Sequence, residues 1–378
     1  MRKSISRASR LTYKHLIKPA LFKRTPDDVH EKMIATGSRL MKLPLAKHLP
    51  QIVAYQNTSF LTQEIGGVTF QNPVGLSAGL DKNAEIVPLV RSIGFGFATI
   101  GSITAEVCPG NPRPWFHRLP EQKSLVVHVG LANHGVAKTH ERLKSYKDSL
   151  FANFPVIASV AKTNSPKTCT DDEAILDYVT SLRHLAKEPK VQIFELNVSC
   201  PNTYGGEPFT TPARLDKLLA AVDEVKTTKP IWVKMPINLA WPEFEALLAV
   251  IVKHRVAAVT IGNLNKDRSA VPTEELPSKI NGNLSGKPTE KLSNDLIAQT
   301  YRTYGDQLTI IGVGGIFSAR DAYRKICLGA SLVELITGMI FEGPQLIGQI
   351  NRDLVKLLKA DGFKNVTEAI GSQNRAKK

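Results

Sequence analysis

The sequence has little cysteine, and none of it falls in a pattern. Four thiols, Cys108, Cys169, Cys200 and Cys327, are scattered over 378 residues, which argues against a disulfide framework and against the C-x-x-C spacing of structural zinc sites. No metal ligand set is expected, and a reducing compartment fits best. Long apolar runs are missing as well. No window reaches the roughly 18 consecutive apolar residues of a spanning helix, and no apolar h-region follows the basic start, so neither a transmembrane segment nor a secretory signal is expected. The first 26 residues hold eight Lys or Arg and no acid, the first carboxylate being Asp27. After residue 66 there is no low-complexity stretch or composition break that would mark a linker. A formal net charge of +15 suits an anionic partner, yet no reader motif and no aromatic platform among the basic residues points to nucleic acid. An anionic membrane surface or an anionic cofactor accounts for the charge equally well.

What is present reads as a globular chain with 42% hydrophobic and 22% charged residues, long enough for one large α/β barrel with additions or for two ordinary domains. Near the start, Leu11, Leu16, Ile17, Ala20, Leu21 and Phe22 form an apolar stripe among Lys14, Lys18 and Lys23. Pro19 is expected to limit how far one helix runs there. A second helix begins at Thr25-Pro26-Asp27-Asp28, with a capping hydroxyl, Pro at the first position and acids in the first turn. Its stripe of Val29, Met33, Ile34, Gly37 and Leu40 is apolar, and Met41, Leu43, Pro44 and Leu45 continue that surface. Two readings stand for residues 1–65: helices packed on the main domain, or an amphipathic lid lying in a bilayer surface with its basic residues on lipid head groups.

Residues 66–378 alternate strand and helix signals with regularity. Eight short, β-branched, doubly apolar runs are candidate strands: Pro73 to Ala78, Ala98 to Gly101, Val156 to Ala161, Ile193 to Val198, Ile231 to Met235, Ala257 to Gly262, Leu308 to Gly312 and Ser331 to Ile336. Amphipathic segments such as Ala213 to Val225 and Trp241 to His254 are long enough for right-handed crossovers. A closed (β/α)₈ TIM barrel with an N-terminal amphipathic helical extension is the economical arrangement, because an open sheet of eight such units leaves two long edges.

Barrel active sites lie at the carboxyl ends of strands, and the chemistry-bearing residues fall there. Ile310 to Ile316, I-I-G-V-G-G-I, puts Gly312, Gly314 and Gly315 at the tip of strand seven, and strand eight ends at Thr337-Gly338. Loops after strands seven and eight are the usual phosphate site of this fold, although plain structural turns also use glycine. Other tips carry Ser77-Ala78-Gly79, Lys82, Ser102, Lys162, Lys234 and Asn263. Lysines beside a glycine cradle suit a ligand with a phosphate and an electron-rich ring, such as a flavin mononucleotide. Lys234 lies inside the apolar run I-W-V-K-M and needs a buried partner. The stretch I-F-E-L-N-V-S-C-P-N-T, Ile193 to Thr203, sets the Cys200 thiol between the carboxamides of Asn197 and Asn202 at a strand tip. Such a group can grip an imide or amide while the thiol handles a proton; it can equally be a turn with a small buried Cys.

Several stretches together carry a resemblance: L-F-K-R-T-P-D-D-V-H, N-P-V-G-L-S-A-G-L-D-K, I-G-S-I-T, P-G-N-P-R-P, N-V-S-C-P-N-T, N-L-S-G-K-P, I-I-G-V-G-G-I and G-A-S-L-V. The chain resembles the dihydroorotate dehydrogenase family, in particular its membrane-associated, quinone-linked class, over nearly its whole length. That resemblance implies an FMN-bearing barrel that oxidises dihydroorotate to orotate in pyrimidine synthesis. By it, FMN contacts come from Ala78, Gly79, Lys82, Ser102, Ser159, Asn197, Lys234, Gly262, Gly286, Gly315, Ile336 and Thr337. Substrate contacts come from Lys82, His128, Gly130, Leu131, Asn197, Asn202, Asn263 and Leu264, with Cys200 as base and Lys82 helping to stabilise its thiolate. His30 matches a histidine of the quinone tunnel, where Trp115 stands in place of an arginine. Other departures are His128 and Leu264 for Asn and Thr, and Ser159 for an Asn that touches flavin. Cys200 itself is typical of the soluble class, whereas the quinone-linked class carries serine there. The implied partners are dihydroorotate or orotate, a membrane quinone and an anionic lipid surface. Peripheral association at the cytoplasmic face of a membrane is expected, with the mitochondrial inner membrane as the alternative, since the Arg- and Ser-rich start also resembles a transit segment. Alternatives for function are a related flavin oxidoreductase with another substrate or a soluble acceptor (fumarate or NAD), and a non-redox phosphate-binding barrel.

Overall fold

The computed structural model describes residues 8–41, 58–204, 206–276 and 280–375; the expected apolar continuation over Leu43, Pro44 and Leu45 lies outside them. Eight parallel strands close into a barrel in sequence order: Val74–Leu76, Phe97–Ile103, Val156–Val160, Ile193–Asn197, Ile231–Met235, Val256–Ile261, Thr309–Val313 and Leu332–Leu335. All eight expected strands are present, with ends shifted by one or two residues.

Both faces of each strand are buried, for different reasons. Outward residues such as Leu76, Ile100, Leu196, Val233 and Val259 pack under the surrounding helices in the main core. Inward residues form tiers. The lowest tier is apolar, made by Phe97, Ile157, Ile193, Trp232, Ala258, Ile311 and Leu332. It is plugged by Phe70 from a hairpin, Gln63–Ile65 with Val68–Phe70, whose ring meets Phe97 edge-on at 5.2 Å. Gly75 is required here, since a Cβ on it would sit 2.1 Å from the Phe97 ring. Two residues further along, the inward side chains turn polar on most strands, as Thr99, Ser159, Glu195, Lys234, Thr260 and Glu334, all buried, with Val313 of strand seven the apolar exception. The barrel is thus dry and apolar at its base and polar just below its open end.

The segment Cys108 to His134, a long connection after the second barrel strand, contains two antiparallel strands, Phe116–Leu119 and Ser124–Val127. Asn283–Leu284 joins them as a third. This small sheet stands beside the barrel mouth and supports the helical arm. Pro19 does not stop the first helix: residues 8–22 are helical throughout, with a π turn at Tyr13–Ile17. The wider turn places Pro19 near the start of a fresh α-helical stretch, Lys18–Phe22, where its missing N–H is no loss. The second helix is Pro26–Leu40, capped as expected by Thr25, whose hydroxyl accepts from the Asp28 N–H at 3.2 Å.

The arm is tied down at named points. Asp27, buried, accepts hydrogen bonds from the backbone N–H groups of Trp115 (2.9 Å) and Phe116 (3.3 Å). Tyr13 donates to the Ile340 carbonyl at 2.6 Å, and Phe22 packs edge-on against Phe341. Gly37 lies against Leu89, which a Cβ would meet at 2.7 Å. Leu11, Leu16, Ile17 and Met33 stay exposed on the outside of the arm. No helix among the described residues is long and apolar enough to cross a membrane.

Candidate active site

The fourth barrel strand ends at Asn197, and its side chain is the first polar group above the tier of Glu195. Its Nδ2 donates to the Ser102 hydroxyl at 2.8 Å, and Ser102 meets the Ser159 hydroxyl at 3.1 Å. Pro201 then takes the chain out of the ladder, as proline must. The loop is held from both sides. Ser199 donates to the Lys234 carbonyl at 3.0 Å, while Asn263 Nδ2 donates to the Ser199 carbonyl and hydroxyl, each at 2.7 Å. Leu264 contributes its backbone N–H to Asn263 Oδ1 at 2.9 Å. Cys200 is partly exposed on this braced loop.

Asn202 is engaged on every side. It donates to the Val127 carbonyl (2.9 Å), accepts from Asn283 Nδ2 (2.9 Å), and its backbone carbonyl accepts from Asn111 Nδ2 (3.0 Å). Asn111 Nδ2 also lies 3.4 Å from His128 Nδ1, and its Oδ1 accepts from Asn164 at 3.2 Å. Asn164 donates in addition to the Gly130 carbonyl at 3.0 Å. Leu131 follows with a φ of 61°, a left-handed conformation that a branched residue adopts only where its surroundings enforce it. Asn111, Asn164 and Asn283 were not singled out from sequence. Two of them sat inside quoted motifs, P-G-N-P-R-P and N-L-S-G-K-P, but their role as struts appears only when three segments meet in space.

The tips of strands six to eight form the glycine cradle. Gly314 and Gly315 have φ of 102° and 72°; a Cβ on the first would lie 2.3 Å from Thr289 Oγ1, and on the second 2.3 Å from Glu290 Cβ. Gly286, at φ 78°, faces Thr337, whose hydroxyl pairs with Ser285 at 3.0 Å. Gly262, in turn, lies against Val313. Ile336 reaches across toward Gly79, 3.7 Å from where a Cβ there would stand, so the Ala78-Gly79 tip of strand one closes the same ring of loops.

Lys82 is turned toward the helical arm. Its ammonium donates to His30 Nε2 at 2.9 Å and lies 5.6 Å and 5.7 Å from the ring centres of Trp115 and Phe116. Burial lowers the Lys82 ammonium to about 8. His30 falls to about 3 through burial first and then the Lys82 and Arg113 charges, so it is the neutral acceptor of this bond. Trp115 donates its indole N–H to the Asn111 carbonyl at 2.7 Å, linking the arm contact to the carboxamide struts.

Lys234 finds the buried company that its place in an apolar run demanded. Glu195 and Glu334 project into the same tier, both fully buried. Thr99 donates to Glu334 at 2.5 Å, while the other Glu334 oxygen, both Glu195 oxygens and the Thr260 hydroxyl have no hydrogen-bond partner among the described residues. Burial and then the Glu195 charge raise the Glu334 carboxyl to about 8, against the pull of Lys234. Neither glutamate was picked out from sequence, although F-E-L-N and L-V-E-L each place an acid on the inward phase of a strand. Cys200 is affected in the same way: burial pushes its thiol up to about 11, opposed by the Asn202 N–H and by Lys234. The cations that act on the thiol are therefore Lys234 and Lys162, and Lys82 is engaged by His30.

A braced thiol loop, uncharged amide donors, a buried lysine and a glycine cradle thus share one barrel mouth. The sequence matches the family described as dihydroorotate dehydrogenase over residues 60–358. It is 33% identical to a dihydroorotate dehydrogenase (quinone) of Nostoc punctiforme, covering 97% of this chain and 99% of that one. With the enzyme of the same description from Deinococcus radiodurans it shares 34% identity, covering 94% of this chain and 98% of the relative. Among solved structures, that of DHODH from Eimeria tenella in complex with ferulenol superimposes with a TM-score of 0.80 at 25% identity, covering 93% of this chain and 96% of the other. The chain belongs to the dihydroorotate dehydrogenase family.

Proposed function

We propose that the protein oxidises dihydroorotate to orotate in pyrimidine synthesis, with FMN as its resident cofactor and a membrane quinone as the final electron acceptor. The observation that carries this reading is the loop Val198 to Thr203, which is braced so that Cys200 lies between Asn197 and Asn202 with Lys234 among the cations acting on it. A dihydropyrimidine presents ring N–H and C=O groups, which neutral carboxamides match, and a carboxylate, which calls for a cation. Asn197, Asn202 and Asn263 supply the first, and Lys82 the second once released from His30. Cys200, as thiolate, takes the proton from C5 of the substrate; with hydrogen leaving C6 as hydride, the C5–C6 double bond of orotate forms. When bound, FMN supplies the two-electron acceptor for that hydride.

The residues present fit that cofactor. Gly286 and Gly315 turn the backbone at φ of 78° and 72°, where a side chain would be strained, and the Thr337 hydroxyl stands beside them, the kind of loop a phosphate uses, and Ser102, Asn197 and Lys234 would hold the ring. The helical arm is the acceptor side of the proposal. His30 and Trp115 line the way from Lys82 outward, and Leu11, Leu16, Ile17 and Met33 with Lys14 and Lys18 form an amphipathic surface for an anionic bilayer.

Turnover of dihydroorotate with quinone, fumarate and NAD offered separately tests the reading. Quinone is expected to sustain turnover and the other two not to; rapid turnover with fumarate or NAD alone would overturn the quinone assignment. Purified protein without bound flavin would overturn the cofactor assignment.

A further inference from the structure

Beneath the proposed cofactor ring lies a tier of the barrel that the reaction as described does not use. Glu195 from strand four, Lys234 from strand five and Glu334 from strand eight all point inward below the barrel mouth, Lys234 pairing in register with Asn197 and Glu195 with Trp232. They are 0%, 5% and 0% exposed. Two carboxylates and one ammonium cannot balance if all are ionised. An uncompensated buried negative charge is among the costliest features a fold can carry, and two carboxyl groups sharing a site respond by keeping a proton. Among the described residues, both oxygens of Glu195, one of Glu334 and the Thr260 hydroxyl lack a hydrogen-bond partner, an unusual concentration of unsatisfied groups in one place. The charged groups acting on Glu334 are Glu195 and Lys234, while Thr99 and Ser77 touch it as hydroxyls. The other inward side chains of the tier, Ser159, Thr260 and Val313, carry no charge.

We propose that Glu195 and Glu334 hold one proton between them, so that Lys234 faces a single negative charge and keeps its own charge turned to the cofactor ring above. The two glutamates are positioning residues that act through Lys234. Burial and the charge of Glu195 hold Glu334 protonated at neutral pH, which agrees with this assignment. When the shared proton is lost at higher pH the tier becomes net negative, and a cofactor that gains negative charge on reduction becomes harder to reduce. The coupling to the ring rests on the flavin reading, whereas the shared proton does not.

Infrared spectroscopy of the full chain tests the proton directly. Wild type at neutral pH is expected to show the carbonyl stretch of a protonated, desolvated carboxylic acid that disappears on raising the pH. Glu334→Gln should remove it. Glu195→Gln should move its titration to lower pH, because the neighbouring charge that holds the proton is gone. Absence of the band in wild type, or a titration unchanged in Glu195→Gln, overturns the proposal, and these two results decide even if Glu334→Gln fails to fold. The second arm is the midpoint potential of bound flavin against pH. Wild type is expected to show an extra downward break at the pH where the band is lost, and Glu334→Gln to lose that break while still binding flavin. A break retained in Glu334→Gln overturns the coupling to the ring. Protein that binds no flavin but shows the infrared behaviour overturns the flavin reading and leaves the shared proton standing.

Discussion

Cys200 is asked to act as a base while its surroundings disfavour the thiolate. Burial raises its thiol to about 11, and Lys234 with the Asn202 N–H only partly offsets this. Since the thiolate fraction grows as pH approaches that value, the rate of substrate-driven flavin reduction is expected to climb about tenfold per pH unit across the neutral range and on into the alkaline range. Stopped-flow measurement of that rate against pH checks it; a flat profile above pH of about 7 would contradict it. At the cradle, Gly286→Ala forces a Cβ to within 2.3 Å of the Lys123 carbonyl at φ 78°. The strain is of order 1–3 kcal/mol, and the flavin-retaining fraction after gel filtration should drop with it. These residue-scale features were unevenly legible. Cys200 and the glycines stood out because their types are uncommon at strand tips. The struts Asn111, Asn164 and Asn283 did not, because a carboxamide in a loop looks like any turn former until its partner, far away in sequence, is known.

At the scale of elements, the eight strands could be read because each is apolar on both faces and short, a pattern that helices of this length do not share. The hairpin at 63–70 and the side sheet at 116–127 were missed. Their strands are three or four residues long, and all but Ser124–Val127 are only partly buried, so their period-2 signal is too brief to separate from a loop. Pro19 misled for a similar reason: its effect depends on the π turn before it, which no local rule announces. The helical arm makes its closest approach to the mouth through His30. His30→Ala removes the acceptor of the Lys82 ammonium without touching Cys200. Quinone-dependent turnover is expected to fall by about tenfold or more with the loss of an acceptor-side residue, while flavin reduction by substrate holds or rises, because Lys82 is freed for the substrate carboxylate. Parallel losses in both half-reactions would place His30 in the substrate site instead.

For the whole molecule, two buried carboxyls link stability to pH. Asp81 accepts from the Glu85 and Ile86 N–H groups and is still raised to about 6, mainly by burial; Glu334 is raised to about 8. A raised carboxyl binds its proton more tightly in the folded chain than in the unfolded one. The stability it contributes is therefore full below the ordinary carboxylate range near 4 and is lost as pH rises through about 6 for Asp81 and about 8 for Glu334. Glu334→Gln should accordingly gain in Tm relative to wild type as pH is raised from about 5, with the gain accumulating steadily and levelling off above about 8. A Tm difference independent of pH would mean that Glu334 is ionised throughout.

The claim that the rest of this account depends on is that the Cys200 sulfur accepts the substrate's proton. Anaerobic mixing of flavin-loaded Cys200→Ala with dihydroorotate, followed by flavin bleaching in a stopped-flow instrument, measures this in one turnover. The account predicts bound flavin and no bleaching on the timescale of wild type; bleaching at the wild-type rate would show that another group takes the proton.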